Sequence, residues 1–191
     1  MKLTEQQQSL FQFVKIAHGD QIRKYTGEPY WNHLYEVAEI VDRFDKTEGL
    51  IEVALCHDLF EDTTVDYASL LKCLSHLEYT DIESIFILRG VMALTDTMTH
   101  EAYPEMNRAG RKNFEAHRLG KIAAEYQTVK YADFIHNTKS IVMYDKGFAK
   151  KYLAEKRYTL NLMRMGNIEL FIECYQLLVA SELSLVIHEH I

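Results

Sequence analysis

Apolar positions recur along most of the chain at intervals of three and four residues, the period of helices buried on one face. Leu10, Val14 and Ala17 line one side of a first helix, and Thr4 carries a hydroxyl suited to capping its N-terminus. Gly27-Glu28-Pro29 is turn chemistry and ends that unit. Leu34, Val37, Ala38 and Val41 predict a second helix over about 31–44. Leu50, Val53, Ala54 and Leu55 predict a third, very apolar, over about 48–60. Asp66 opens a short helix through Leu70 and Leu74, and Asp81 caps another over 82–94. The stretch 95–120 is polar, holds Pro104 and Gly110, and reads as a mobile loop or short helices. Helices resume at about 121–143, 148–163 and 168–189. No alternation of strand period persists and no internal repeat occurs. The expected fold class is all-α, with one domain over 1–191 whose C-terminal helical part, about 147–191, packs on the rest.

Composition narrows the function classes. With 48% hydrophobic and 26% charged residues in 191, the chain can build a core, so global disorder is excluded. Two prolines and eight glycines are too few for a turn-rich β protein. A net charge of −7 argues against holding nucleic acid by its phosphates. Cys56, Cys73 and Cys174 form no CxxC pair, which argues against a disulfide framework or a thiolate zinc site. The N-terminus turns polar at once, unlike a signal peptide, and no run of ~20 consecutive apolar residues occurs. A cytoplasmic protein, without membrane or nucleic-acid partners, is expected.

The third helix ends in His57-Asp58-Leu59-Phe60-Glu61-Asp62-Thr63. Glu61 lies one turn beyond His57 and Asp62 one turn beyond Asp58, each on its partner's face. Acids at a helix C-terminus oppose the macrodipole, and burying them without a partner is costly, so a metal or another cation is a natural occupant. Two other places offer ligands. His33 opens the second helix, and Asp133 sits inside an apolar helix, where a carboxylate needs a partner. His33, His57, Asp58 and Asp133 make a set of two imidazoles and two carboxylates, which suits Mn²⁺, Fe²⁺ or Zn²⁺.

On an all-α scaffold this set resembles the HD-domain metal-dependent phosphohydrolases. The surroundings are more specific. His18-Gly19-Asp20-Gln21-Ile22-Arg23-Lys24-Tyr25-Thr26-Gly27-Glu28-Pro29-Tyr30, then His33, then the His57 to Thr63 segment, then Lys130-Tyr131-Ala132-Asp133-Phe134-Ile135-His136-Asn137, resembles the hydrolase domain of the RelA/SpoT alarmone enzymes. The match runs over about 11–139, more loosely to 156, and implies a small stand-alone alarmone hydrolase. It implies an HD-domain helical bundle, and metal ligation by His33, His57, Asp58 and Asp133, with one Mn²⁺ per chain. It gives Glu61 and Asp62 the attacking water, Arg23 the nucleobase and Lys24 the nearby phosphates. Asn137 and Ser140 match nucleotide-contacting positions. The implied reaction removes the 3′-pyrophosphate of ppGpp or pppGpp.

A polyanionic substrate on an acidic protein requires local cations, and Arg111, Lys112, Lys121, Lys130 and Lys139 are available besides Arg23 and Lys24. Phe134 and Thr138 stand where the family more usually has Arg or Lys and Met or Leu, and the segment from 97 to 120 diverges further. These departures keep ppApp, NADPH or a nucleoside monophosphate as alternative substrates of the same chemistry. A catalytically silent nucleotide sensor is the reading from another class, and the complete set of matched metal and acidic residues argues against it.

Overall fold

A computed structural model describes residues 1–187. Its helices are α1 Glu5–His18, α2 Trp31–Phe44, α3 Leu50–Cys56, α4 Leu59–Asp62, α5 Tyr67–His76, α6 Asp81–Leu94, α7 Arg108–Leu119, α8 Ala124–Tyr144, α9 Lys146–Leu162 and α10 Ile168–Ile187. The described residues form no strand, only an isolated antiparallel bridge between Ile22 and Pro29. The all-α expectation therefore holds. Glu189, the expected end of the last helix, lies outside the described residues.

The local signals act as read at several ends. Thr4 accepts from the Gln7 backbone N–H while the Gln7 side chain accepts from the Thr4 N–H, a reciprocal capping box. Asp66 caps α5 through the Ser69 N–H. At α6 the cap is Thr80, not Asp81. Glu83 takes both the Thr80 N–H and its hydroxyl, at 2.7 and 2.6 Å, so the box is built one residue earlier than expected. The 95–120 stretch contains a twelve-residue helix, α7, capped by the Asn107 side chain on the Gly110 N–H.

The largest correction concerns the third helix. The expected single helix over 48–60 is two, broken at His57 and Asp58. Asp58 takes φ −100°, ψ 1°, the sparsely populated bridge region where many site residues sit, and its carbonyl accepts the N–H groups of Glu61 and Asp62.

The helices fall into two compact units, Met1–Thr95 and the residues from Asp96 onward. In the first, α3 is the central element. Leu50, Val53, Ala54, Leu55 and Cys56 are fully buried, and α1, α2 and α6 pack around them. A helix apolar on every side is stable only when surrounded. Its one buried carboxylate, Glu52, accepts from the Gln7 amide and the Tyr79 hydroxyl. The second unit is built on α8, against which α9 and α10 pack. Tyr131 donates its hydroxyl to the Met163 carbonyl at 2.8 Å, and Gln127 and Thr128 accept the N–H groups of Met165 and Asn167. These bonds clamp the α9–α10 turn to α8. Gly166 lies so close that an added Cβ would stand 2.6 Å from the Tyr131 ring. The α10 helix is long and apolar enough to cross a membrane by length and composition. It packs on α8 and α9 through Leu170, Cys174, Leu178 and Leu185, as a core helix does.

Candidate metal centre and its surroundings

His33, in the first turn of α2, and His57, at the end of α3, are both 1% exposed. The apolar stretches that bury their helices carry the imidazoles inward. His57 Nδ1 lies 2.8 Å from the Ala54 carbonyl, the i−3 position of its own helix. That bond makes Nδ1 the donor and leaves the Nε2 lone pair pointing the other way. Asp58 Oδ2 is 3.2 Å from His57 Nε2 and 3.6 Å from His33 Nε2. One ligand atom from each of His33, His57 and Asp58 falls within 4.8 Å of the others, a spacing that fits a divalent cation. Burial opposes the charge on Asp58, yet positive charge held against it by the two histidines, His57 foremost, outweighs burial and keeps the carboxyl well below the usual range; a bound cation would do the same with the imidazoles neutral.

Tyr30, His18 and Gln21 lie within the matched motif, which assigns them no role, yet they form a connected set around Asp58. Tyr30 donates its hydroxyl to Asp58 Oδ2 at 2.8 Å. Burial, then the nearby Asp58 and Asp62 charges, keeps this phenol far above its ordinary pKa, so it remains a donor. Its ring stacks on His18 at 5.1 Å with an interplanar angle of 15°. His18 Nδ1 in turn meets Gln21 Oε1 at 2.9 Å, and the Gln21 amide donates to the Asp62 carbonyl. The one available signal is spacing: Tyr30 precedes His33 by one helical turn, and both lie within the matched motif.

The loop between α1 and α2 carries the nucleotide candidates. It folds back on itself: the Arg23 N–H donates to the Glu28 carbonyl at 2.8 Å and the Tyr30 N–H to the Gln21 carbonyl at 2.8 Å. Gly27 turns the chain with φ +71°, a conformation other residues resist. The fold-back lays the Arg23 guanidinium over the Tyr30 ring, 5.6 Å from its centroid. Lys24 is exposed and leans on Tyr25. Glu61 and Asp62 are exposed at the end of α4. Although solvent reaches the Asp62 side chain, the groups crowded behind its carboxyl partly desolvate it, and that desolvation with the Asp58 charge raises its pKa above the usual carboxylate value, which favours a proton acceptor.

In the second unit Asp133 is 6% exposed on α8. Lys130, one turn before it, reaches Oδ2 at 2.9 Å, and Asn137, one turn after it, donates to Oδ1. Asn137 is thus engaged with Asp133 itself. The Ser140 hydroxyl bonds back to the Asn137 carbonyl.

An all-α fold with a His, His-Asp cluster beside a loop that carries Arg23 and Lys24 is the class of protein these elements define. No family model matches the chain. It is 39% identical over 66 residues to a guanosine-3′,5′-bis(diphosphate) 3′-pyrophosphohydrolase of Aquifex aeolicus, a match covering 35% of this chain and 9% of that protein. It is 45% identical over 52 residues to the GTP pyrophosphokinase rsh of Brucella ovis, covering 27% of this chain and 7% of that protein. The matches thus span under a tenth of these curated relatives. Among solved structures, a metazoan ortholog of SpoT, described as hydrolysing ppGpp and acting in starvation responses, superposes with a TM-score of 0.75. That match has 19% identity and covers 93% of this chain and 96% of the other. The fold of this chain is that of the metazoan protein, and the resemblance to RelA/SpoT enzymes read from the motifs recurs in both comparisons.

Proposed function

We propose that the chain hydrolyses the 3′-pyrophosphate of ppGpp and pppGpp, giving GDP or GTP and pyrophosphate, as one hydrolase domain acting in the cytoplasm. The observation that carries this reading is the buried His33, His57, Asp58 cluster in a fold shared with a ppGpp-hydrolysing protein.

One Mn²⁺ per chain is the proposed cofactor, with Asp133 as fourth ligand on the strength of the sequence motif and of its burial. Such an ion, when bound, activates water and offsets phosphate charge. The side chains supply the rest. Asp62, with its raised pKa, or Glu61 beside it takes the proton of the attacking water. The water oxygen bonds to the phosphorus carried on the 3′-oxygen, the bond between that phosphorus and the 3′-oxygen breaks, the 3′-oxygen takes up a proton to become the hydroxyl of GDP or GTP, and pyrophosphate departs. Arg23 has a planar cation already laid on an aromatic face and can cover a nucleobase in the same way. Lys24 is assigned to the neighbouring phosphates, and Asn137 and Ser140 to the nucleotide.

The test is hydrolysis by purified protein, stripped with a chelator and then supplied with Mn²⁺, against ppGpp, pppGpp, ppApp, NADPH and nucleoside monophosphates. The stripped protein is expected to be inert, and Mn²⁺ to restore release of pyrophosphate from ppGpp. Full turnover without metal, or activity confined to another nucleotide, defeats the proposal.

A further inference from the structure

In the second unit, four cations and three acids share one region around α8 and α9. Each acid has a close cation. Arg108 grips Glu155 with two parallel hydrogen bonds, both 2.9 Å. Lys112 reaches Asp96 at 2.6 Å, and Lys130 reaches Asp133 at 2.9 Å. Lys156 is the fourth cation, and no described carboxylate lies within ion-pair distance of it. Its ammonium rests instead on rings, 4.6 Å from the Phe134 centroid and 5.3 Å from that of Tyr152. Lys130 approaches the same Phe134 ring at 5.9 Å.

A half-buried ammonium with no counter-charge is unusual, because desolvation penalises the charged form. Here burial, followed by repulsion from Lys130, pushes Lys156 down to about 8. The nearby Asp133 and Glu155 act in the opposite direction, and Lys112 adds to the repulsion. The region therefore carries a surplus positive charge on a side chain that the rings hold in place. Simple packing would be better served by Met or Leu of similar length. An anion beside Lys156 would supply the missing counter-charge, and Lys130 is near enough to share it.

We infer that Lys156, with Lys130 beside it on the Phe134 ring, forms a subsite for a phosphate or pyrophosphate group. The inference rests on the phosphohydrolase reading for its biological ligand, since a nucleotide polyphosphate offers that group, but its test does not. Asp133 and Asp96 weaken the field for an anion, and their engagement by Lys130 and Lys112 limits that effect.

The experiment is calorimetric titration of inorganic pyrophosphate into the full chain in metal-free buffer, with wild type, Lys156→Met and Lys156→Arg. Wild type is expected to bind, and Lys156→Met to bind about tenfold more weakly, as the loss of one charge-assisted contact would give. Lys156→Arg, which keeps the charge, is expected to stay within a few-fold of wild type. Binding by wild type should also weaken as salt is raised. Equal affinity of wild type and Lys156→Met, or no binding by wild type at millimolar pyrophosphate, overturns the inference. If pyrophosphate binds through Lys156 and no nucleotide is hydrolysed, the subsite stands and the proposed activity falls. If ppGpp is hydrolysed and Lys156→Met binds pyrophosphate like wild type, the reverse holds.

Discussion

Replacing Tyr30 with Phe removes one oxygen and leaves the ring on His18. The hydroxyl it removes stands 2.8 Å from Asp58 Oδ2, the oxygen that both imidazoles face. A neutral donor on an ionised acceptor contributes about 1.5–3 kcal/mol. Outer partners of metal ligands, when removed, lower metal affinity roughly 10- to 100-fold, or about 1.4–2.7 kcal/mol. The two figures agree, so Tyr30→Phe should raise the Kd for Mn²⁺ by about one to two powers of ten. The stacking distance of 5.1 Å to His18 involves only the ring and should survive, so the metal-free variant should lose no more than the hydrogen bond itself, a fall in Tm of roughly 3–12 °C for a chain of this size. Mn²⁺ titration of stripped protein, followed by calorimetry or by the spectrum of the free ion, measures the Kd directly. A Kd within a factor of two of wild type would show that Asp58 needs no donor to hold it, and would refute the role given to Tyr30.

Three other outcomes are expected. The double variant Glu61→Gln, Asp62→Asn should keep its bound metal and lose about 10²-fold or more in kcat; metal loss would move the pair into the coordination shell. Arg23→Ala should weaken ppGpp binding by about 1–2 kcal/mol, roughly 5- to 30-fold, with metal content unchanged, and equal affinities by titration would remove Arg23 from the pocket. Lys156→Met should stabilise the chain at pH 7. The folded-state pKa of about 8 lies below the ordinary 10.5, so the native state binds fewer protons than the unfolded one between those values. The penalty is therefore full below about pH 8 and fades as pH rises toward 10.5. At about 1.4 kcal/mol per pH unit, discounted for water reaching a half-buried ammonium, the gain is about 1–2 kcal/mol. Urea unfolding at pH 7 and pH 10 checks it, and a variant no more stable than wild type at pH 7 contradicts it.

The local features of this chain are written in short stretches of its sequence. A capping box needs only a Thr and a Gln three residues apart, so Thr4 and Gln7 announce the start of α1 by themselves. The run from Leu50 to Cys56 demands burial wherever it is placed, because no face of it is polar enough for water. The same run carries His57 and Asp58 to the edge of the core, which is why the pair is visible as a site. What the sequence does not contain is the break between α3 and α4. No Gly or Pro marks it, and the apolar spacing from Leu55 to Leu59 continues across it as though one helix ran through. The contact of Tyr30 with Asp58 spans 28 residues and follows from how α2 and α3 pack, so no local rule could reveal it. Lys156 shows the same division most plainly. In sequence it is one lysine among many. Only packing decides that the carboxylates near it are held by Arg108, Lys112 and Lys130, and that its ammonium must lie on Phe134 and Tyr152 without one. Helix propensity and capping act over one turn of chain, whereas the field at a side chain is set by every charge the tertiary fold brings near it.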